Sequence, residues 1–355
     1  MTRGRGLRTF VVTAVGLSVL TVPHVSAVSG RKHAPTTTRP ATKPSQRPWF
    51  RSSKAFWEPI VSRPAIDSAS SALAALLAAP GAGRVLNLQS FAVPVVAWND
   101  RSAPEPLVVT NAGEDRWGRN DLEAIPALRV PAGTAPAAGS DAKLVVVDRA
   151  RNRVIDLWAV TRQPGTWNAG WGGVYALDGD GTSRWPQYAG HGPYDRPFDL
   201  PLSRATGSGI SSLAGLLTFD DVRRGWIDHA LVFATDRSCG PPDTGPFRYP
   251  ATTTDGNYPG KPCLPEGSRI QLDPAIRLDL ITMGRGERMI GEALQRYGAF
   301  NIDNGGSRLG FIAALPTPSQ QAAYSAAGLI GDYVSLEHLP WRSVRVLSAG
   351  ATPRP

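Results

Sequence analysis

The chain has 355 residues, with 38 Lys and Arg against 29 Asp and Glu, a formal net charge of +9 and 42% hydrophobic residues. So basic a balance would suit nucleic acid or an anionic membrane, but ten of the basic residues lie before Ala55, in a stretch that contains no acid. From Ala55 onward 28 basic residues face 29 acidic ones, so the body is near neutral, which argues against a nucleic-acid-binding domain.

Residues 1–27 read as an export signal. Arg3, Arg5 and Arg8 precede an uncharged apolar run from Phe10 to Val22, and Val25-Ser26-Ala27 supplies a small-residue cleavage site. The run is short and stopped by Pro23, which fits processing better than an uncleaved anchor. No later segment holds the ~18 apolar residues of a membrane helix, so the mature chain is expected to be secreted, extracellular and without a membrane span. Residues 28–54, with Ala34-Pro35-Thr36-Thr37-Thr38-Arg39-Pro40, have the composition of a disordered basic linker. It would serve as a tether or adhere to an anionic cell wall.

Residues 55–355 are expected to form one domain. Asp67 or Ser68 can cap a helix over Ser70–Ala79, which Pro80-Gly81 stops. Strand signals follow over Val93–Trp98, Leu107–Thr110, Leu144–Asp148, Val154–Val160, Trp167–Leu177, Ile227–Ala234, Arg269–Leu272, Phe300–Asp303 and Phe311–Ala314. Leu144–Asp148 and Val154–Val160 flank a short turn and read as a hairpin. A second helix is predicted over Gly286–Tyr297, with Met289, Ile290, Ala293 and Leu294 on one face and Gly298 as its stop. Many strands, few helices and no βαβ alternation predict a mainly β fold: an antiparallel two-sheet sandwich, jelly-roll and concanavalin-like, with a few peripheral helices.

Cys239 and Cys263 are the only cysteines. A single pair in an exported chain predicts one disulfide, and closing roughly two dozen residues stabilises by about 3 kcal/mol in the chain-entropy model. Neither belongs to a Cys/His cluster with zinc spacing.

Taken together and in order, several motifs resemble a family of secreted, mainly actinobacterial proteins. They are Gly139-Ser140-Asp141 before Leu144–Asp148, Asp156-Leu157-Trp158-Ala159, Ile227-Asp228-His229-Ala230-Leu231, Pro250-Ala251-Thr252 with Asp255-Gly256, and Leu294–Gly298 leading to Asp303-Asn304-Gly305. The resemblance covers roughly residues 93–347. It implies export and a β-sandwich of the lectin/glucanase type, and it implies no particular reaction.

Strong catalytic signatures are missing. There is no P-loop and no H-E-x-x-H, Gly181–Arg184 is too polar for a nucleophile elbow, and Gly207 and Gly209 follow no strand that would support a dinucleotide site. Acids and aromatics on strands remain. Alternation places Asp156 and Trp158 on one face with Val154 and Val160, and Trp167, Trp171 and Tyr175 in phase on the next strand. Rings beside carboxylates suit a sugar-binding sheet, although the same rings would equally fill a core. Asp156 and Asp303 are the expected catalytic carboxylates, with Asp148 in reserve and His229 assisting; Trp158, Trp171, Tyr175 and Asn301 would hold substrate. Each has a plainer reading. His229 alternates with Ile227, Leu231 and Phe233 and suits a core histidine, Asp303-Asn304-Gly305-Gly306 suits a turn, and Asp148 suits the opening of the hairpin.

Asp178-Gly179-Asp180-Gly181-Thr182 looks like half a calcium loop but lacks the glutamate at the twelfth position. A turn accounts for it; no cofactor or metal ligand set is expected, and structural calcium is the one metal left open. The expected partner is a polysaccharide or cell-wall glycan, and the expected activity is glycoside hydrolysis. The rivals are a lectin-like or wall-associated protein, a polysaccharide lyase using His229 and Tyr297, and a structural envelope protein with no groove.

Overall fold

Five consecutive residues, Leu144 to Asp148, are all buried in β5 (Leu144–Asp148), and they turn back into β6 (Arg153–Trp158) in the predicted hairpin, Leu144 opposite Leu157 and Asp148 opposite Arg153. The computed structural model describes residues 47–112, 120–183, 204–240 and 245–354. The export signal and most of the spacer lie outside the described residues. Arg47 to Lys54, assigned from sequence to the spacer, belong to the folded body. Phe50 is buried against Tyr175, its amide donates to Leu177 O, and Ser53 caps α1 (Lys54–Trp57).

The described residues are rich in β-structure, as expected, but they form three mixed sheets rather than two antiparallel ones. The largest runs β14 (Tyr333–Ser335), β1 (Arg84–Asn87), β13 (Leu309–Ile312), β10 (Leu231–Thr235), β12 (Ala299–Asn304), β11 (Arg269–Leu272), β15 (Val344–Val346). The second runs β2 (Val95–Ala97), β5, β6, β9 (Trp171–Ala176). The third runs β4 (Ala127–Leu128), β3 (Glu105–Val109), β8 (Thr166–Ala169), β7 (Thr161–Gln163). β1 with β13, β10 with β12, β2 with β5 and β3 with β8 are parallel pairs. The antiparallel expectation fails because long connections, through helices or through strands of another sheet, return strands in the same direction. Between β10 and β12 that return includes α4 (Arg285–Arg296), close to its predicted span and ended by Gly298 at φ 70°.

Side-chain alternation divides the core into layers. α2 (Ser70–Ala78), α4 and α5 (Gln321–Ala326) pack on the large sheet through Leu73, Leu77, Met289, Ile290, Leu294 and Tyr324 against Leu231, Phe233 and Ile270. On the other face of that sheet, Val232, Phe300, Ile302 and Ile312 meet Val145, Val147, Val154 and Tyr175 of the second. The second sheet's far face, Leu144, Val146, Ile155 and Leu157, covers Leu107, Leu128 and Trp167 of the third. Asp156 shares its face with Val154, so it points into the space between the large and second sheets.

One predicted strand proves to be two. The segment from Trp167 to Leu177 breaks at Gly170: β8 joins β3 and β7, whereas β9 joins β6. Trp167 therefore lies fully buried in a different layer from Trp171 and Tyr175, and the expected row of three rings does not exist.

Candidate active site

Asp141, Lys143 and Asp303 meet at the mouth of the gap between the large and second sheets. Asp141 ends the turn before β5, and that strand's first residues direct Lys143 inward. The turn is tied to the residues after β6, Ala159 N–H donating to Asp141 O at 2.8 Å and Val160 N–H to Ala142 O at 3.1 Å. Ala142 and Ala159 both adopt left-handed φ, 39° and 51°. Such backbone costs of order 1 kcal/mol per non-glycine residue and gathers at functional sites.

Asp303 reaches the same point through an irregularity. Phe233 pairs with Asn301, but Ala234 pairs with Asp303, so Ile302 is an extra residue in β12. That bulge breaks the alternation that would place Asn301 and Asp303 on one face. Asn301 is buried, donating to Ser238 Oγ and Leu264 O; the Asp303 carboxylate accepts from Lys143 Nζ at 2.9 Å and from Gly207 N–H at 3.1 Å. Lys143 also lies 3.9 Å from Asp141, which accepts from the Trp158 indole. Burial alone would lower the Lys143 pKa; Asp303 and Asp141 overcome it and raise it.

Asp255 completes the group. Its Oδ1 accepts from Asn304 N–H at 3.3 Å, and a Cβ at position 207 would overlap its carboxylate. Gly207 is thus required by close approach: its amide holds Asp303 while its bare Cα seats Asp255. Burial, then the neighbouring Asp303, push the Asp255 carboxyl up to about 6, against the hydrogen bond from Glu266 and the charge of Arg204. Glu266 is fully buried and neither of its oxygens receives a hydrogen bond from a donor group. A buried carboxylate without a donor is untenable, so Glu266 holds a proton, raised by burial and then by Asp255, to which it hydrogen-bonds. The loop carrying Asp255 is closed by the predicted Cys239–Cys263 disulfide, 24 residues apart.

Two cavities open on these carboxylates. One, of about 430 Å³, includes Phe91, Lys143 and Tyr333; the other, of about 160 Å³, includes Trp158, Trp171, Arg204 and Asp255; both are lined by Asp141, Asp303 and Asn304.

Among the residues expected from sequence, Asp303, Trp158 and Trp171 line this cleft. Asp156 lies behind it. Fully buried, it accepts from Ser212 N–H and Ser211 Oγ and lies within the field of Lys143. Burial, partly offset by those hydrogen bonds, raises its pKa to about 6. Tyr175 is core, packed edge-on to Phe50. Asp148 is buried at the hairpin turn, accepting from Arg151 and Arg153. Tyr297 and His229 line neither cavity. Asp178–Thr182 forms a turn, Asp180 accepting from Thr182 N–H at 3.0 Å. Among the described residues no group of three or more His, Cys, Asp or Glu side chains is arranged to hold a metal ion, and no helix is long and apolar enough to cross a membrane. Sequence reasoning passed over Asp141, Lys143, Arg204, Asp255 and Glu266. Asp141 and Asp255 sit within the motifs that carry the family resemblance, which was the available signal.

His229 precedes β10 rather than lying in it, and its role is structural. Nδ1 lies 2.9 Å from Ala230 O and Nε2 3.4 Å from Asp221 Oδ2, with the Trp57 ring edge-on. Asp221 also closes the N-terminal capping box of α3 (Phe219–Arg224) and accepts from Arg224. Burial lowers the His229 pKa, and the Asp221 carboxylate more than reverses it. A raised histidine pKa means extra stability, full below its unfolded value of about 6.5 and lost as pH rises through the higher folded value. Wild-type unfolding free energy is therefore expected to fall as pH rises from about 6 to 9, and the His229→Gln variant to show a flatter profile. Parallel denaturation profiles for the two proteins would refute this role.

A scan against family models and searches of curated proteins and solved structures found no match to this chain.

Proposed function

We propose that the chain is a secreted carbohydrate-active enzyme that hydrolyses a polysaccharide with a pair of carboxyl groups, Asp255 and Asp303, and that its facing sheets are a variant of sandwich layering. The observation that carries this reading is the meeting of two carboxyls in unlike surroundings over Gly207, beside the Trp158 ring. Asp303 accepts from Lys143 Nζ and from the Gly207 amide, whereas burial and then Asp303 raise the Asp255 carboxyl above the usual carboxylate range. Carboxyls whose environments separate them in this way divide the acid and base roles.

Asp255 gives its proton to the glycosidic oxygen as the C–O bond breaks. Asp303 either takes a proton from the water that attacks the anomeric carbon or bonds that carbon first, and carboxyl separation decides which. The anomer released identifies the course. Trp158, half-buried, would stack on a sugar ring, whereas Trp171 is fully buried and can only back the cleft. The Lys143–Asp303 ion pair favours a second reading, a lectin-like protein whose acids only bind hydroxyls.

Incubation of purified protein with plant, fungal and actinobacterial wall polysaccharides separates the readings, with reducing ends and the ultraviolet absorbance of unsaturated sugars followed together. New reducing ends without unsaturated products support the hydrolase; unsaturated products indicate a lyase. Retention on a polymer without cleavage overturns the enzyme reading in favour of the lectin.

A further inference from the structure

Asp141 and Asp303 do not belong to one pocket alone; they line two neighbouring cavities. Asp141, Asp303 and Asn304 belong to both the larger and the smaller cavity. Each has its own aromatic wall, Trp158 with the buried Trp171 behind the smaller, Phe91 and Tyr333 in the larger. Phe91 and Tyr333 face each other at 6.5 Å between centroids, and Tyr333 is 52% exposed.

The larger lobe is fixed to the acids. Asp332 accepts from Ser90 N–H and from Ser90 Oγ, locking the loop that carries Phe91 to the residue before Tyr333. Ser90 O accepts in turn from Gly139 N–H at 2.7 Å, two residues before Asp141. A side chain at Gly139 would strike Ser90 O and the Phe91 ring. The aromatic wall and the acid are therefore set by one hydrogen-bonded segment.

The cations of the two lobes face the protein's own acids. Lys143 lies between Asp303 and Asp141, and Arg204 acts on Asp255 and Glu266. With the Asp141 and Asp303 carboxyls on the lining that the two cavities share, a substrate carrying carboxylates would meet like charge there.

From this geometry, and building on the hydrolase reading above, we infer that the substrate is an extended, uncharged polysaccharide that lies across Asp303 with sugars in both lobes, so that the chain is cut internally. Tyr333 is then a specificity-determining residue of the larger lobe, remote from the acids that react.

The test uses the full chain and its Tyr333→Ala variant on xylan, mixed-linkage β-glucan, mannan and arabinogalactan, with polygalacturonate as the charged counterpart. Early products and solution viscosity are followed on the polymer that is cut. The expected result is a broad ladder of early products, viscosity lost while few bonds are broken, and no cleavage of polygalacturonate. Loss of one stacking ring should raise KM on the polymer about tenfold, and raise it less on the trisaccharide of the same sugar. Cleavage that releases only mono- or disaccharides from the outset, with KM equally affected on polymer and trisaccharide, overturns the inference and leaves the hydrolase standing. Cleavage confined to polygalacturonate also overturns it. No cleavage of any polymer by the wild type overturns the inference and the hydrolase reading together.

Discussion

Asp255→Asn is expected to lower kcat on the polysaccharide that the wild type cuts by about 10²–10⁴-fold, the usual contribution of a positioned general acid. The amide keeps the shape and can still accept from Asn304 N–H, so the fold should persist and circular dichroism should match the wild type. The pH dependence has a definite sign. An acid must be protonated to act, and the Asp255 carboxyl is pushed up to about 6, first by burial and then by Asp303. Wild-type activity should therefore fall as pH rises through that value, and residual activity of the asparagine variant should lose that limb. A variant with wild-type turnover, or one that keeps the limb, would remove Asp255 from the role of acid.

Lys143→Met should destabilise the protein by about 3–5 kcal/mol, the cost of breaking a buried ion pair by deleting one partner. The Lys143 side chain is 7% exposed and that of Asp303 14%, so water cannot replace the lost cation cheaply. Asp141 and Asp156 also act on the ammonium, so its removal leaves three carboxyls without their shared cation. The double variant Lys143→Met/Asp303→Asn should recover part of the loss, because one uncompensated charge is then absent. Urea denaturation of the four proteins of the cycle measures the coupling. Equal stability of wild type and Lys143→Met would show that the ammonium holds nothing together.

Local features were legible because neighbouring residues decide them. α2, α4 and the β5–β6 hairpin follow from apolar spacing and from turn and stop residues, and β11 occupies its predicted span, Arg269–Leu272. The alternation that put Asp156 with Val154 also held, but Val160, expected on the same face, packs with Ile155 and Leu157 after the left-handed Ala159. The sheet assembly was not legible, since each parallel pair joins strands far apart in sequence and no local pattern encodes that distance. The single strand read over Trp167–Leu177 failed at Gly170, where the chain changes sheets without losing its β-rich composition.

The cleft was half legible for a similar reason. Trp158 was found because it lies on a strand whose alternation brings it to the cleft; Asp303 was named from its strand, but the Ile302 bulge rather than alternation brings it there. Asp141 and Asp255 come from turns, where no periodicity marks an inward side chain, and they converge only through the tertiary fold. The partner first expected for Asp303 was Asp156, which shares its cation but stays behind the cleft wall. The pairing of Asn301 with Asp303 failed at the Ile302 bulge, a feature that pleat arithmetic cannot anticipate.

The Cys239–Cys263 bridge encloses the loop on which Asp255 stands, and that placement ties chemistry to compartment. Thiols remain reduced in a cytosol and join only where the surroundings oxidise them. A newly made copy still inside the cell would hold its acid on an unclosed loop, with more freedom to stray from Gly207. On the proposed reading of an exported enzyme with Asp255 as its acid, oxidation would then act as a maturation step: the bond that toughens the fold would also set that acid in place.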